Sequence, residues 1–385
     1  MISRAEQTLF SDWLWTVDRW LLGALALLMV CGLVFGMAGS PPVAERLHLP
    51  TFYFVNKQAE FLVPAIAVLV AASFLSPRHV RRVALAVFVV AMALIVAALL
   101  FGVEVKGARR WIFGIQPSEF VKPAFVILAA WAFSEGARGR RDMPANFMAI
   151  LLLPATVVPL VLQPDFGQTM LISLVWGALF FMAGLHWFWV AGIGGAGASA
   201  VFAAYKFVPH VRARILKFLE PQSDGGAVTD TFQVDTARDS FIAGGWFGKG
   251  PGEGTLKRIL PDSHTDFIFA VTGEEFGVIV CIALVSLFAF IVIRGLTDAA
   301  RNEDPFCRFA AAGLSMLFGI QSCINLAVNL RLMPAKGMTL PFISYGGSSL
   351  ISLALGMGFL IAVTRKRPRT EVLLDAALDP GAARA

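Results

Sequence analysis

Long apolar stretches alternate with short polar connections along nearly the whole of this 385-residue chain. Most stretches have roughly 17–25 residues, the length that an α-helix needs to cross about 30 Å of hydrocarbon. The alternating pattern of a transmembrane β-barrel is not seen, so helices must satisfy the backbone hydrogen bonds. The pattern predicts an all-α polytopic membrane protein with ten transmembrane helices, at 20–39, 59–75, 83–101, 120–134, 145–162, 169–184, 187–208, 267–293, 309–330 and 346–364.

Composition supports this fold class, because 57% of the residues are hydrophobic and only 15% are charged. A soluble domain carries nearer a quarter charged residues. The pattern divides the chain into a cytoplasmic N-terminal segment (1–19), a membrane domain (20–364) and a cytoplasmic tail (365–385) that is predicted to be disordered. One large extracytoplasmic loop, at 209–264, interrupts the membrane domain. The four cysteines lie in or beside predicted helices, so no disulfide framework or cysteine metal motif is expected.

Basic residues predict the orientation in the membrane, because cytoplasmic loops are enriched in Lys and Arg. They cluster in alternate connections and beside the last helix, which places both termini in the cytoplasm: Arg78, Arg81, Arg82, Arg138, Arg140, Arg141, Arg294, Arg301, Arg308, Arg365, Lys366, Arg367 and Arg369. The net charge of +6 therefore reflects topology and does not indicate nucleic-acid binding. Lys106, Arg109 and Arg110 break the rule on the outer side, which suggests an anionic partner there, such as a phosphate.

A carboxylate marks the junction between the large loop and the apolar stretch that begins at Phe267. Asp266 follows His264 and Thr265 there. An acidic residue at a bilayer boundary is costly unless it acts on something at that depth. The alternative is a helix cap, since Asp before an apolar run accepts hydrogen bonds from the first free helix amides. The residues by themselves leave both interpretations open.

Glu119 and Lys122 lie three residues apart, hence on one face of a predicted helix just inside the membrane. One interpretation is a structural ion pair that joins two helices. The other is a cationic seat for a pyrophosphate, with Glu119 holding Lys122, because the compact Lys charge suits phosphate binding.

The large loop contains a glycine-rich block at 244–254, which allows positive φ and close approach to a ligand. It is either a flexible outer loop or a loop that covers substrate. Glu274 and Glu275 follow in the next helix, where buried acidic residues need partners such as structural cations. Asn325 and Asn329, four residues apart, are expected to form hydrogen bonds between helices.

The last outer connection, residues 331–349, combines two prolines, paired glycines and several hydroxyl groups. Irregular backbone at membrane depth must line a cavity, because it cannot face lipid. Lys336 would add positive charge to that cavity, and Ser344, Gly346 and Gly347 are its other candidate substrate-binding residues.

Taken together, these segments resemble the SEDS family of bacterial peptidoglycan polymerases over nearly the whole chain. The resemblance rests on Gln116-Pro117-Ser118-Glu119 with Lys122, the glycine-rich block, residues 260–275 and residues 336–349. The run Lys336-Gly337-Met338-Thr339-Leu340-Pro341 is similar to the FtsW branch rather than the RodA branch. The chain departs from many members at residues 234–240, where they carry a Gln-Ser pair.

The resemblance implies a glycosyltransferase that polymerises lipid II into glycan strands during septal wall synthesis, in the bacterial inner membrane. Asp266 would be the general base, and the expected substrate-binding residues are Lys122, Glu119, Arg109, Arg110, Lys336, His264, Ser344, Gly346 and Gly347. No cofactor is certain, although a divalent cation (Mg or Mn) could assist at the pyrophosphate. Expected partners are lipid II, a class B penicillin-binding transpeptidase of the FtsI type and other division membrane proteins. A lipid II transporter, a scaffold and an elongation-type polymerase stay open as alternatives.

Overall fold

The computed structural model describes residues 9–105, 108–137, 145–184, 230–334 and 337–366, with a few isolated positions between 188 and 212. Its elements in chain order are α1 (Leu9–Thr16), α2 (Arg19–Arg46), α3 (Tyr53–Ser73), α4 (Pro77–Phe101), β1 (Val103–Val105), β2 (Ala108–Trp111), α5 (Pro117–Ala137), α6 (Ala145–Leu162), α7 (Phe166–Met182), α8 (Asp230–Gly244), a 3-10 turn (Leu256–Arg258), α9 (Ile268–Ala300), α10 (Pro305–Asn329) and α11 (Gly347–Thr364).

The predicted helical membrane fold is confirmed. Seven of the described helices are long and apolar enough to cross a bilayer, and α6 and α7 are shorter apolar helices. Together they correspond to nine of the ten predicted spans. The seventh predicted span, at 187–208, lies outside the described residues except for isolated positions, so the count of ten stays a prediction. A short antiparallel hairpin of β1 and β2, which was not predicted, connects α4 to α5.

Residue contacts define two ends of the bundle. One end contains Asp266 and is called the site end; there Arg46 donates to the main-chain oxygen of Leu260, and the N–H of Tyr345 donates to the main-chain oxygen of His264. At the opposite end, Arg294 pairs with Asp18 and Arg365 donates to Thr16. Helices α2, α4, α6 and α10 therefore run toward the site end, and α3, α5, α7, α9 and α11 run away from it.

Local sequence explains where several helices start. Ser76 precedes Pro77, and its hydroxyl accepts a hydrogen bond from the N–H of His79. Asp304 precedes Pro305 in the same way, and its carboxylate accepts from the N–H of Cys307 at 3.1 Å. A polar N-cap followed by proline satisfies a free amide and presets the helical φ angle.

Helices α5, α10 and α11 form the centre of the bundle, whereas α3 and α4 are mostly exposed at its surface. Small residues allow the central helices to approach closely. A side chain at Gly313 of α10 would collide with Val126 of α5, at 2.7 Å, and one at Gly356 of α11 would press on Pro123. Close approach through small residues is how membrane helices gain dispersion contacts without help from water.

The glycine-rich block packs against helix α9, and its role as a cover over substrate stays a prediction. Helix α9 is broken at Gly277 (φ 83°), and the loop fills the break: the N–H groups of Val278 and Ile279 donate to Gly245 and Trp246. A Cβ atom at Gly248 or Gly277 would overlap the facing main chain. The glycines are needed because two backbones touch there.

Glu274 and Glu275 hold this loop in place from the first turns of α9. One carboxylate, Glu274, accepts from three successive main-chain N–H groups, those of Thr255, Leu256 and Lys257, at 2.7 to 3.1 Å. Glu275 accepts from the N–H of Gly252 and pairs with the buried ammonium group of Lys257. The expected structural cations are thus Lys257 and, on Glu274, Lys249.

Candidate functional site

The main-chain carbonyl groups of His264, Thr265 and Asp266 each accept a hydrogen bond from a donor in the last third of the chain. The main-chain N–H of Tyr345 donates to His264 at 3.0 Å, and the hydroxyl of Ser344 donates to Thr265 at 2.6 Å. The carbonyl of Asp266 accepts from Asn325 at 3.0 Å and from Asn329 at 2.9 Å. The backbone at this carboxylate is therefore fixed by contacts that are distant in sequence.

Asp266 does not occupy the cap position of helix α9. The helix begins at Ile268 with Phe267 as its N-cap residue, so the carboxylate lies one residue before the cap. The N–H of Ala270, in the first turn, donates to the main-chain oxygen of Phe267 at 3.0 Å and to the side-chain oxygen of Asn329, on another helix, at 3.1 Å. The structure thus provides a reason for Asn329 and leaves the half-buried Asp266 outside the capping role that the sequence left open.

The carboxylate of Asp266 faces the last connection. Gly337 has a φ of 65°, and a Cβ atom there would lie 3.9 Å from Oδ2 of Asp266. The ring centroid of His264, two residues before Asp266, lies 4.2 Å from that of Phe54 and 5.7 Å from that of Tyr345. An aromatic group and an irregular loop thus border the acidic residue.

The other predicted residues of the last connection have defined contacts, except Lys336, which lies outside the described residues. Ser344 also accepts from the N–H of Leu340, so its hydroxyl joins two parts of the backbone. Gly346 precedes α11, and Gly347 packs so tightly on Phe61 that a Cβ atom would approach the ring to 2.8 Å. These contacts explain why the loop has a fixed shape; substrate binding by these residues stays a prediction.

Glu119 and Lys122 form the ion pair that their spacing indicates, with Nζ 2.8 Å from Oε2 and side chains only 6% and 2% exposed. Gln168 of α7 donates to the other carboxylate oxygen at 2.6 Å, and the ammonium group donates to Gln321 of α10 at 3.0 Å. These contacts favour the ion-pair interpretation, since both charged groups have partners on neighbouring helices. A role of Lys122 as a pyrophosphate seat stays a prediction.

A line of polar groups on α10 connects this ion pair with Asp266. Gln321, Asn325 and Asn329 are spaced by four residues and so share one helix face. Gln321 bonds Lys122 and donates to the main-chain oxygen of Thr339, while Asn325 donates to that of Met338 at 2.6 Å. A small cavity with room for about one water lies beside Lys122 and Gln321. Asn325 and Asn329 were expected to form hydrogen bonds between helices; the contact of Asn329 with Ala270 of α9 confirms this for Asn329, whereas Asn325 bonds Asp266 and Met338, which lie outside the helices. Gln321 was not predicted, although it has the same spacing of four residues.

Arg109 and Arg110 differ in their surroundings. Arg109 is half exposed and lies 3.6 Å from Glu104 across the hairpin. Arg110 instead donates to the main-chain oxygens of Gln163 and Pro164, and lies 3.8 Å from Asp165. Arg110 thus stabilises the turn between α6 and α7, and of these two cations Arg109 is the more accessible.

Asp165 is buried at this turn and caps α7, where its carboxylate accepts from the N–H of Gln168. Gln116 and Ser118, at the start of α5, donate to its other oxygen at 3.3 and 3.5 Å. Burial raises the pKa of Asp165 above its ordinary value, and the nearby guanidinium of Arg110 opposes that rise. Asp165 is therefore a structural residue of the turn.

Within the described part of the chain, no three acidic, histidine or cysteine residues come together as a metal ligand set. Asp266 alone would offer a divalent ion a single carboxylate, whereas such ions take about six oxygen ligands. The described residues therefore do not form a metal site by themselves.

These features define a class: a multi-pass helical membrane protein with a fixed acidic residue at one end and a buried polar network beneath it. Comparison with known proteins gives the family. The chain belongs to the FtsW/RodA/SpoVE family of cell cycle proteins, whose family model matches residues 18–369.

Individual relatives agree with this assignment. The chain is 45% identical over 371 residues to a probable peptidoglycan glycosyltransferase FtsW of Caulobacter vibrioides, covering 95% of this chain and 94% of the relative. It is 34% identical over 356 residues to the protein of the same description from Trichlorobacter lovleyi, covering 90% and 93%.

Solved structures show the same fold. A chain from a study of the structural coordination of polymerization and crosslinking by a peptidoglycan synthase complex superimposes with a TM-score of 0.75 at 26% identity, covering 90% of this chain and 97% of that one. The rod shape determining protein RodA of Thermus thermophilus superimposes with a TM-score of 0.64 at 24% identity, covering 91% and 98%.

Proposed function

We propose that this protein is a peptidoglycan glycosyltransferase of the FtsW type, which polymerises lipid II with Asp266 as its general base. The family assignment and the descriptions of the relatives support the activity. The observation that carries the role of Asp266 is the fixed backbone at residues 264–266, which holds a half-buried carboxylate beside an irregular loop. Fixed geometry is what a catalytic base requires.

The reaction joins two lipid-linked disaccharides. A sugar 4-hydroxyl of one attacks the anomeric carbon of the other; the bond from that carbon to the pyrophosphate oxygen breaks, and a glycosidic bond forms. The carboxylate of Asp266 takes the hydroxyl proton, and undecaprenyl pyrophosphate leaves with the bonding electrons. A positioned base typically accelerates such a step by about 10²–10⁴-fold.

Cations are needed to stabilise the departing pyrophosphate. Arg109 is an accessible candidate among the described residues. Lys336 is a second by its sequence position next to Gly337, the residue beside the Asp266 carboxylate. A divalent cation, Mg or Mn, would have to take most of its ligands from the pyrophosphate and water, and no step proposed here depends on it.

The proposed setting is the bacterial inner membrane at the division septum, with both termini in the cytoplasm and the site end outside. The distribution of Lys and Arg supports this orientation. The proposed partner is a class B penicillin-binding transpeptidase of the FtsI type. A structural relative comes from a study of a complex that coordinates polymerization and crosslinking, which supports such an assembly here.

Reconstitution tests the activity directly. Purified full-length protein, alone and with its cognate transpeptidase, is incubated in vesicles with lipid II, and glycan strands are separated by length. Strands that depend on Asp266 support the proposal. Movement of lipid II between leaflets without polymer would instead support a transporter. If the assembled complex showed neither polymer nor movement, a scaffold role would be the interpretation that stays.

A further inference from the structure

Two amide side chains of α10 converge on a single carbonyl oxygen, that of Asp266. Asn325 and Asn329 both donate to it from Nδ2, at 3.0 and 2.9 Å. Both side chains are buried. The amides are one helical turn apart, so the helix itself sets their spacing.

Each amide also bonds a second element, and this fixes where the carbonyl can lie. Asn325 donates to the main-chain oxygen of Met338, one residue beyond Gly337, where an added Cβ atom would lie 3.9 Å from Oδ2 of Asp266. Asn329 accepts from the N–H of Ala270 in the first turn of α9. The pair therefore connects the Asp266 main chain, the start of α9 and the last connection.

A buried amide of this kind is costly unless it is satisfied, and helix packing alone would be served by apolar residues. Asp266 lies outside the helix, one residue before its N-cap Phe267, so the helix's own hydrogen bonds do not fix its backbone. Here the neighbouring carbonyls of His264 and Thr265 have one donor each from the last connection, whereas the carbonyl of Asp266 has two. The density of donors is highest at the proposed base.

We infer that Asn325 and Asn329 are positioning residues, which hold the Asp266 main chain so that its carboxylate reaches the substrate hydroxyl. This inference rests on the proposed role of Asp266. A small displacement of a catalytic group can cost about 100-fold in rate. Losing one amide while the other still donates should therefore lower kcat by about 10-fold, and losing both by about 100-fold, with KM changed less than about twofold.

The test compares Asn329→Ala, Asn325→Ala and the double variant with a matched control at the opposite end of the bundle. Asn302 makes the same kinds of bonds: it donates to the main-chain oxygen of Val363 at 3.1 Å and accepts from the N–H of Asp304 at 3.2 Å. Full-length proteins are assayed with lipid II and the cognate transpeptidase for kcat, KM and the pH dependence of kcat. Thermal unfolding in detergent is measured in parallel.

If the inference is right, Asn302→Ala lowers the unfolding temperature but keeps kcat. Asn329→Ala and Asn325→Ala lower kcat and shift the acidic limb of its pH profile, because the carboxylate moves to a new environment. Equal losses of unfolding temperature with wild-type kcat in all three single variants would overturn it. So would failure of both Asn325 and Asn329 variants to fold while Asn302→Ala folds. Failure of the proposed function itself is distinguishable: without glycosyltransferase activity the wild type would make no polymer, and without the base role Asp266→Asn would polymerise normally.

Discussion

Lys122 and Glu119 form an ion pair 2.8 Å long in the interior of the bundle, and each also bonds a glutamine of a neighbouring helix. Breaking one half of such a pair leaves an uncompensated buried charge, whereas replacing both halves by apolar residues is often nearly neutral. The pair thus joins α5 to α7 and α10 through groups that depend on each other.

Lys122→Met should therefore destabilise the protein by about 3–5 kcal/mol, and Glu119→Gln should have a comparable effect. The double variant Lys122→Met with Glu119→Gln should recover most of this loss, because it leaves no unpaired buried charge. Thermal unfolding in detergent, combined as a double-mutant cycle, measures the coupling. If Lys122→Met keeps its stability but uses lipid II poorly, and Glu119→Gln is milder, the pyrophosphate-seat interpretation is correct instead.

Asp266→Asn keeps the size of the side chain but removes its negative charge. We expect polymerisation to fall by at least about 100-fold, because an amide cannot accept the hydroxyl proton. Folding and lipid II binding should largely survive. Asp239→Asn, at an exposed position of α8, is the control and should polymerise normally. Near-normal strand synthesis by Asp266→Asn would exclude Asp266 as the base.

Gly277→Ala should destabilise the join between the glycine-rich loop and α9 by about 2–4 kcal/mol, because φ is 83° and the new Cβ overlaps the facing main chain. Gly245→Ala is the matched control: its φ of 58° is also positive, but a Cβ atom there meets nothing within 4 Å. It should cost only about 1–2 kcal/mol. Limited proteolysis within residues 244–257 and thermal unfolding are measured for both variants. Equal effects would show that backbone strain alone matters there.

The raised pKa of Asp165 predicts a pH dependence of stability. The folded protein binds the proton of the Asp165 carboxyl more tightly than the unfolded chain does. The resulting stabilisation is therefore fully present below about pH 3.8, the ordinary pKa of the group. It is lost as the pH rises through the raised folded pKa. In the wild type, the free energy of unfolding measured from about pH 4 to about pH 7 should include this decrease. In Asp165→Asn the decrease should be absent. An unchanged pH slope in Asp165→Asn would contradict the prediction.

Peptide cross-linking should require a separate protein, because the predicted outer loops contain no Ser-x-x-Lys nucleophile motif and no cysteine. The contact should involve membrane helices and the 209–264 loop. Co-purification from detergent should recover a complex with the class B transpeptidase. Blocking that partner's active site should yield strands without cross-links. Cross-linked product from the purified chain alone would refute this division of labour.

Several features could be predicted from the sequence because they depend on local or periodic properties. Apolar length predicts membrane helices wherever the chain lies, and the described helices confirm the fold class. The spacing of Glu119 and Lys122 placed them on one face before any packing was known. The motif segments also predicted the family, which the family model and the relatives confirm, together with the activity that the relatives' descriptions give.

Only the tertiary structure decided what the polar residues do. Whether Asp266 caps α9 depends on where that helix begins and on which groups accept from its first amides; Ala270 donates to Phe267 and to Asn329, which is 59 residues away. The position of the glycine-rich block depends likewise on the carboxylates of Glu274 and Glu275, which lie in the following helix and accept from the N–H groups of the loop. Sequence determined which segments enter the membrane, since burial of apolar surface follows from composition. It could not determine these pairings, because a hydrogen bond requires contact between groups that only the folded chain brings together.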